Sequence, residues 1–295
     1  ENRLLIRRGL QVLQNTARPG LKALKKVSGV VNRSIDTTTI GFFLAPRINS
    51  AGRLASADLA LNLIRSKDEA EAEYLAGELN SLNIQRQELQ KAGLAEAERQ
   101  VEEQGSDLHR ILVVQGDEWH LGIVGLIASR LTEKYSRPAL VCTNYRKNGI
   151  YTGSARTISG YNIVEAIFRV SDLLSEYGGH ADAAGFSVPA KNYDAFCLRL
   201  IENAERDLPE GALTPQLDLD TILSPKDISL ETIFLLSKLA PFGVGNLAPR
   251  FLAENCEIAD IRTVGQGMHL KLILHTGKQV CNAIWWQKGD LVYEV

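Results

Sequence analysis

Residues 110–143 read RILVVQGDEWHLGIVGLIASRLTEKYSRPALVCT. A short apolar run of strand length is followed by apolar residues at helical spacing, and then by a second apolar, β-branched run. Strand, helix and strand in that order form the repeating unit of an α/β sheet. The alternation continues outward from it. Predicted strands cover Arg110–Gln115, Ala139–Thr143, Ile150–Ala155 and Gly185–Val188, and predicted helices cover Leu121–Tyr135, Asn162–Tyr177 and Tyr193–Asp207. The expected fold class over 105–208 is therefore α/β with a mixed sheet.

Upstream, residues 68–104 hold no proline and only Gly77 and Gly93 among many Glu, Ala, Leu and Gln. Leu75, Leu79, Leu82 and Leu89 give that stretch a narrow apolar seam, so it is predicted as one long helix, on the order of 55 Å, connecting two lobes. Residues 1–67 read as helices and turns around short buried strands, with Leu4, Leu5, Ile6, Leu10 and Leu13 striping a first helix that Pro19-Gly20 breaks. Downstream of Pro209-Glu210-Gly211 the pattern changes to short strand-like runs, Cys256–Ile261, His269–Leu274 and Val280–Trp286, between glycine-containing turns. From Arg250 onward these runs are thus expected to form a small β-barrel, with too few strands to close comfortably. A chain of 295 residues has room for these several cores.

The totals narrow the function. A net charge of −2 and a sequence pI near 6.3 speak against a protein that coats nucleic acid through a wholly basic surface, so any phosphate contact must be a local pocket. Cys142, Cys197, Cys256 and Cys281 form no CxxC pair, which suggests neither zinc nor a disulfide framework and fits a reducing cytoplasm. No apolar run has membrane-spanning length, and no signal peptide is apparent. The absence of an initiator Met suggests a piece of a longer protein.

Five segments carry candidate chemistry. Pro46-Arg47-Ile48-Asn49-Ser50-Ala51-Gly52-Arg53-Leu54 places two arginines and an asparagine before a helix predicted at Ser56–Ile64. They can form a cationic fork for phosphate, or a capped surface loop. Gly153-Ser154-Ala155-Arg156 ends a strand, where ligands of α/β sheets commonly sit. Gly178-Gly179-His180-Ala181-Asp182-Ala183-Ala184-Gly185 reads as a small-residue loop after a helix, with glycines that terminate the helix and a histidine placed for function. In Trp119-His120-Leu121-Gly122-Ile123-Val124-Gly125 the glycines suit helix packing, and His120 is open to either reading. Leu239-Ala240-Pro241-Phe242-Gly243-Val244-Gly245-Asn246 is a hinge or a binding loop. Of Trp285 and Trp286, adjacent on a strand, at least one is expected in the core. There is no Asp-His-His and no HxxxH, and Asp218 and Asp220 have no third ligand nearby. No metal site is expected in this chain.

In this order, PRINSAGRL, the long helix, WHLGIVGLIASRL, GSAR, GGHADAAGF and LAPFGVGN resemble the RecJ-type single-stranded-DNA-specific exonucleases of the DHH/DHHA1 phosphoesterase superfamily. Ser50, where the family more often has Ala, and Leu247, where it usually has Pro, are mild departures. The resemblance implies the C-terminal part of a DHH domain at 1–67, a connector helix at 68–104, a DHHA1 domain at 105–208 and an OB-fold at 216–295. It implies two-metal hydrolysis of single-stranded DNA, 5′ to 3′, in DNA repair and recombination. The Mn²⁺ or Mg²⁺ ions would be held by an Asp-His-His portion not in this chain. It also implies substrate or phosphate contacts from Arg47, Asn49, Arg53, Ser154, Arg156, Gly178 and Gly179, a catalytic role for His180, and single-strand-binding protein as a further partner. The competing readings are a non-catalytic nucleic-acid-binding module and an oligonucleotide or cyclic-dinucleotide phosphodiesterase of the same superfamily, which ordinarily lacks an OB-like tail.

Overall fold

The computed structural model describes residues 1–105, 108–224, 227–277 and 279–294. Its contacts divide the chain into two units: Arg7–Pro215, and Gln216–Val295 together with Glu1–Ile6.

The first unit opens with α1 (Asn2–Gln14, whose first residues group with the second unit) and α2 (Pro19–Val27). Pro19 stands at the first turn of α2 and so begins a helix as well as ending the turn before it. Next come α3 (Thr37–Thr39), a π-helical turn Ile40–Leu44, α4 (Ala45–Leu54), α5 (Asp58–Arg65) and α6 (Glu69–Glu102). The buried strands expected in 1–67 are absent among the described residues; helices fill that region. PRINSAGRL is likewise not a loop before a helix but the helix α4 itself, with its proline in the first turn, where the missing N–H costs nothing.

The long helix α6 has 34 residues, about 50 Å. Asp68 caps it, its carboxylate accepting from the Glu71 N–H at 2.7 Å, and Glu69 and Glu71 complement the dipole of the first turn. Asp68→Ala is expected to cost about 1 kcal/mol in a denaturation curve of the chain and to leave ligand binding unchanged.

Two different cores share α6. Ala72, Leu75, Ala76 and Leu79 pack with Leu24, Leu44, Ala51 and Leu63 of the preceding helices. Ala97 and Val101 pack with Leu112, Ile123, Ile127 and Leu131 of the α/β part. The helix is thus built into both halves.

The α/β part runs β1 (Leu112–Gln115), α7 (Leu121–Tyr135), β2 (Ala139–Thr143), β3 (Ile150–Arg156), α8 (Ile163–Phe168), β4 (Glu176–His180), β5 (Ala183–Pro189) and α9 (Tyr193–Asp207). The sheet order is β1-β2-β3-β5-β4, with β1 and β2 parallel across α7 and the other pairs antiparallel. The mixed sheet is as expected. The helix expected over 162–177 is not: α8 stops at Phe168, and Glu176–His180 is an edge strand. Its backbone pairs with β5 through a hairpin closed by Ala181-Asp182, which overrides the helical spacing of the apolar residues before it. One face of the sheet is sealed by α8 and α9, with the Phe186 and Phe196 rings 5.2 Å apart. On the other face α7 covers Leu112, Val114, Ala139 and Val141.

The second unit holds β6 (Thr221–Ile222), α10 (Leu230–Ser237), β7 (Phe251–Leu252), β8 (Cys256–Val264), β9 (His269–Thr276) and β10 (Gln279–Trp285). β8, β9 and β10 form an antiparallel sheet, β6 and β7 a short parallel pair, and the sheets do not close. Asn246 folds the glycine turn back, its side-chain N–H donating to the carbonyls of Leu239 (3.1 Å) and Pro241 (2.9 Å). Neither Trp285 nor Trp286 is buried, at 44% and 65% exposure, against the expectation of one in the core. No helix among the described residues is long and apolar enough to cross a membrane.

Candidate phosphate and nucleic-acid site

Directly opposed residues of antiparallel strands project to the same face. Arg156 opposes Ala183, and Ala183 opposes His180; one step along, Ser154 opposes Gly185, and Gly185 opposes Gly178. Arg156, Ser154, Gly178 and His180 therefore share a face. It is the α7 face, since Ser154 also opposes Val141. Two strand spacings put the Arg156 and His180 backbones about 10 Å apart, within reach of one ligand for side chains of these lengths.

Beyond α7 this face is open. Gly178 has nothing within 4 Å of where a Cβ would stand, and the nearest atom for Gly185 is 3.9 Å away. The two glycines form a flat floor in a groove lined by Thr152, Glu176 and Ser187. Arg156 and His180 stand in the next rank of the sheet, and Glu176 lies at the opposite end.

The close approach of α7 holds the arginine in place. A Cβ on Gly125 would lie 3.0 Å from Nη2 of Arg156 and 3.1 Å from Oγ of Ser154. Nη1 of Arg156 donates to Ser154 Oγ and to the Ala155 carbonyl, both at 2.7 Å. From the helical side, Nη1 of Arg53, at the end of α4, donates to the Gly122 carbonyl at 3.0 Å. Asn49, exposed and one turn earlier, shares the Arg53 side of α4.

Arg86, on α6, completes the cluster and was not singled out from sequence. Burial, and after it the charge of Arg53, lowers the pKa of both Arg156 and Arg86 below the ordinary guanidinium range. Arg86 donates to Gln90 (2.8 Å) and Asn83 (3.1 Å), while its buried Nε has no partner. Arg99, Arg110, Arg130, Arg169, Arg199 and Arg206 all pair with carboxylates. Among the described residues Arg53, Arg86 and Arg156 form no ion pair. Three like charges gathered without a counter-charge form a site whose energy an anion lowers.

Two expected contacts lie elsewhere. Every nitrogen of the Arg47 guanidinium is engaged, donating to Asn80 Oδ1 (2.9 Å) and to the carbonyls of Phe43 (2.7 Å) and Val27 (3.3 Å), so Arg47 ties α4 to α2 and α6. Gly179 faces the opposite side of the sheet from Arg156, and a Cβ there would stand 2.3 Å from the Ala183 carbonyl oxygen. Its requirement is close strand packing. His180 is exposed at the end of β4.

No group of three or more His, Cys, Asp or Glu able to hold a metal ion occurs among the described residues. The residues present do not fit a two-metal centre, so no step through one is assigned to them.

The domain composition defines the class. Residues 109–206 match the DHHA1 domain family, and residues 219–295 the RecJ OB domain. The single-stranded-DNA-specific exonuclease RecJ of Bacillus subtilis is 38% identical over 292 residues, 99% of this chain and 37% of that protein. Its namesake from Thermus thermophilus is 34% identical over 98% of this chain and 40% of that protein. The crystal structure of RecJ from Thermus thermophilus in complex with Mn²⁺ superposes with a TM-score of 0.81 at 33% identity, over 98% of this chain and 42% of that one. This chain belongs to the RecJ family, and it spans 37–40% of the length of these two curated relatives.

Proposed function

We propose that this chain supplies the strand-binding part of a single-stranded-DNA-specific exonuclease. Arg53, Arg86, Ser154 and Arg156 hold a nucleic-acid phosphate, with Asn49 beside them, and His180 meets it from the far strand as the residue closest to the chemistry. The observation that carries this reading is the arginine cluster without a carboxylate, opening onto the glycine floor. Guanidinium forks match phosphate oxygens, and the uncovered glycines allow a sugar–phosphate chain to lie against the sheet. Glu176 repels phosphate at the other end, which gives the groove a direction. The open sheets of the second unit, with Trp285 and Trp286 exposed, offer faces on which bases stack.

In this reading hydrolysis by two Mn²⁺ or Mg²⁺ ions belongs to residues outside this chain, and the whole enzyme digests from the 5′ end, in the cytoplasm, in repair and recombination, with single-strand-binding protein as a further partner. The arginines would stabilise charge on the phosphoryl oxygens during that step. Titrating the chain with a labelled oligothymidylate carrying a 5′-phosphate or a 5′-hydroxyl tests the site directly. Tighter binding of the phosphorylated strand, weakening with salt, is expected; equal affinities would refute a terminal-phosphate site.

Gly178→Leu places a bulky side chain on the floor at a position whose Cβ has nothing within 4 Å. It is expected to weaken oligonucleotide binding by about tenfold, the effect of about 1.4 kcal/mol of lost contact, with little change in melting temperature. Unchanged binding would place the strand off this face.

A further inference from the structure

The site leaves one neighbouring group without a role. His120 precedes α7, and its Nδ1 accepts the Gly122 N–H at 3.0 Å as the N-cap. Only a neutral imidazole carrying its proton on Nε2 can accept at Nδ1. The ring is steadied by Tyr145, centroid to centroid 5.1 Å at 60°.

The residue it caps is the one on which the site converges. Gly122 gives its N–H to His120 and its carbonyl to Arg53, and there is no space beside it: a Cβ would lie 2.2 Å from the Arg53 carbonyl oxygen and 3.1 Å from Nδ1 of His120. Three residues on, Gly125 is the surface against which Arg156 and Ser154 rest. The first turn of α7 thus touches both arginines from the two halves of the site. We infer that His120 is a positioning residue: its neutral imidazole caps α7 and fixes the turn that sets Arg53 and Arg156 at one separation. Serine, asparagine and aspartate are the usual caps. Aspartate would place a negative charge where an anion is to be held, and serine and asparagine have no ring to rest on Tyr145.

This inference rests on the phosphate-site reading, and its test separates the two. The probe is the same pair of 5′-phosphorylated and 5′-hydroxyl oligothymidylates, bound to the 295-residue chain and followed by fluorescence anisotropy with a melting curve for each variant. His120→Ala is expected to reduce the preference for the phosphorylated strand roughly five- to tenfold, the bias that a cap of ordinary strength exerts. His120→Asn, which restores a cap acceptor, should recover most of it. His120→Asp should cap as well and melt no lower than wild type, yet bind as poorly as the alanine variant. Should His120→Ala not fold, the Asn and Asp variants still decide, because both cap and only one repels the anion. A wild-type preference that survives in His120→Ala and His120→Asp overturns the inference alone. A loss that His120→Asn fails to repair also overturns it, since the ring would then act by something other than the cap. A wild-type chain without any phosphate preference overturns the phosphate site, and this inference with it.

Discussion

Arg156→Ala is expected to weaken binding of a 5′-phosphorylated single strand by one to two decades, and to slow digestion similarly in an enzyme that contains this chain. The contact at stake is a charge-assisted hydrogen bond to an anion, worth about 1.5–3 kcal/mol. Arg156→Lys keeps the charge but loses the planar fork that Ser154 Oγ and the Ala155 carbonyl orient, so it should recover little. Stability should hold or rise. Arg156 has no carboxylate partner among the described residues, is partly desolvated and is repelled by Arg53, so removing it relieves a cost in the unliganded protein. Binding isotherms beside melting curves check both halves of the claim. Normal binding, or a loss that merely follows unfolding, would assign Arg156 to structure.

Gly122→Ala is expected to have the largest effect on stability. The added methyl group would stand 2.2 Å from the backbone oxygen of Arg53 and 2.9 Å from its carbonyl carbon, and backbone cannot swing aside as a side-chain end can. The end of α4 and the start of α7 must separate, at about 3 kcal/mol, the upper part of the overpacking range. For a unit of this size that lowers the melting temperature by roughly 6–12 °C. Phosphate binding should fall with it, because Arg53 docks on the same residue. Gly77→Ala is the control: nothing lies within 4 Å of its Cβ position inside α6, so it should be neutral or stabilising by about 0.5–1 kcal/mol. Equal melting temperatures for the two variants would mean that the α4–α7 junction yields easily.

Local rules made much of this legible in the sequence. Asp68 and the uninterrupted Glu/Ala/Leu/Gln stretch located α6 to within two residues at each end, and the predicted limits of β2 and α9 coincide with those of the structure. Ser154 and Arg156 could be named as candidates because a strand end in an α/β sheet is where ligands gather. Partnerships distant in the chain were not legible. Glu176–His180 is a strand only because β5 pairs with it, and nothing within Ser175-Glu176-Tyr177 announces that. Arg47, expected at a phosphate, is instead tied to α2 and α6, and Arg86 was not named from sequence at all, both for one reason. An arginine in a motif and an arginine in a polar helix declare their roles only once it is known which carbonyls and which other cations surround them. Asn80, Phe43 and Val27 hold the first, and the charge of Arg53 acts on the second.

The sharing of α6 between two cores bears on how the first unit moves. A helix whose N-terminal turns are locked among Leu24, Leu44 and Leu63, and whose C-terminal turns are locked under Ile123, Ile127 and Leu131, cannot serve as a hinge. Melting its N-terminal turns would open the core of the helical half, and melting its C-terminal turns that of the α/β half, so neither end is free to fray. The unit should therefore open as a single cooperative block, with amide protons along α6 exchanging at similar rates, instead of fraying from one side. The gap between Arg53 and Arg156 then behaves as a gauge of constant width, selecting by fit a ligand that must enter ready-shaped.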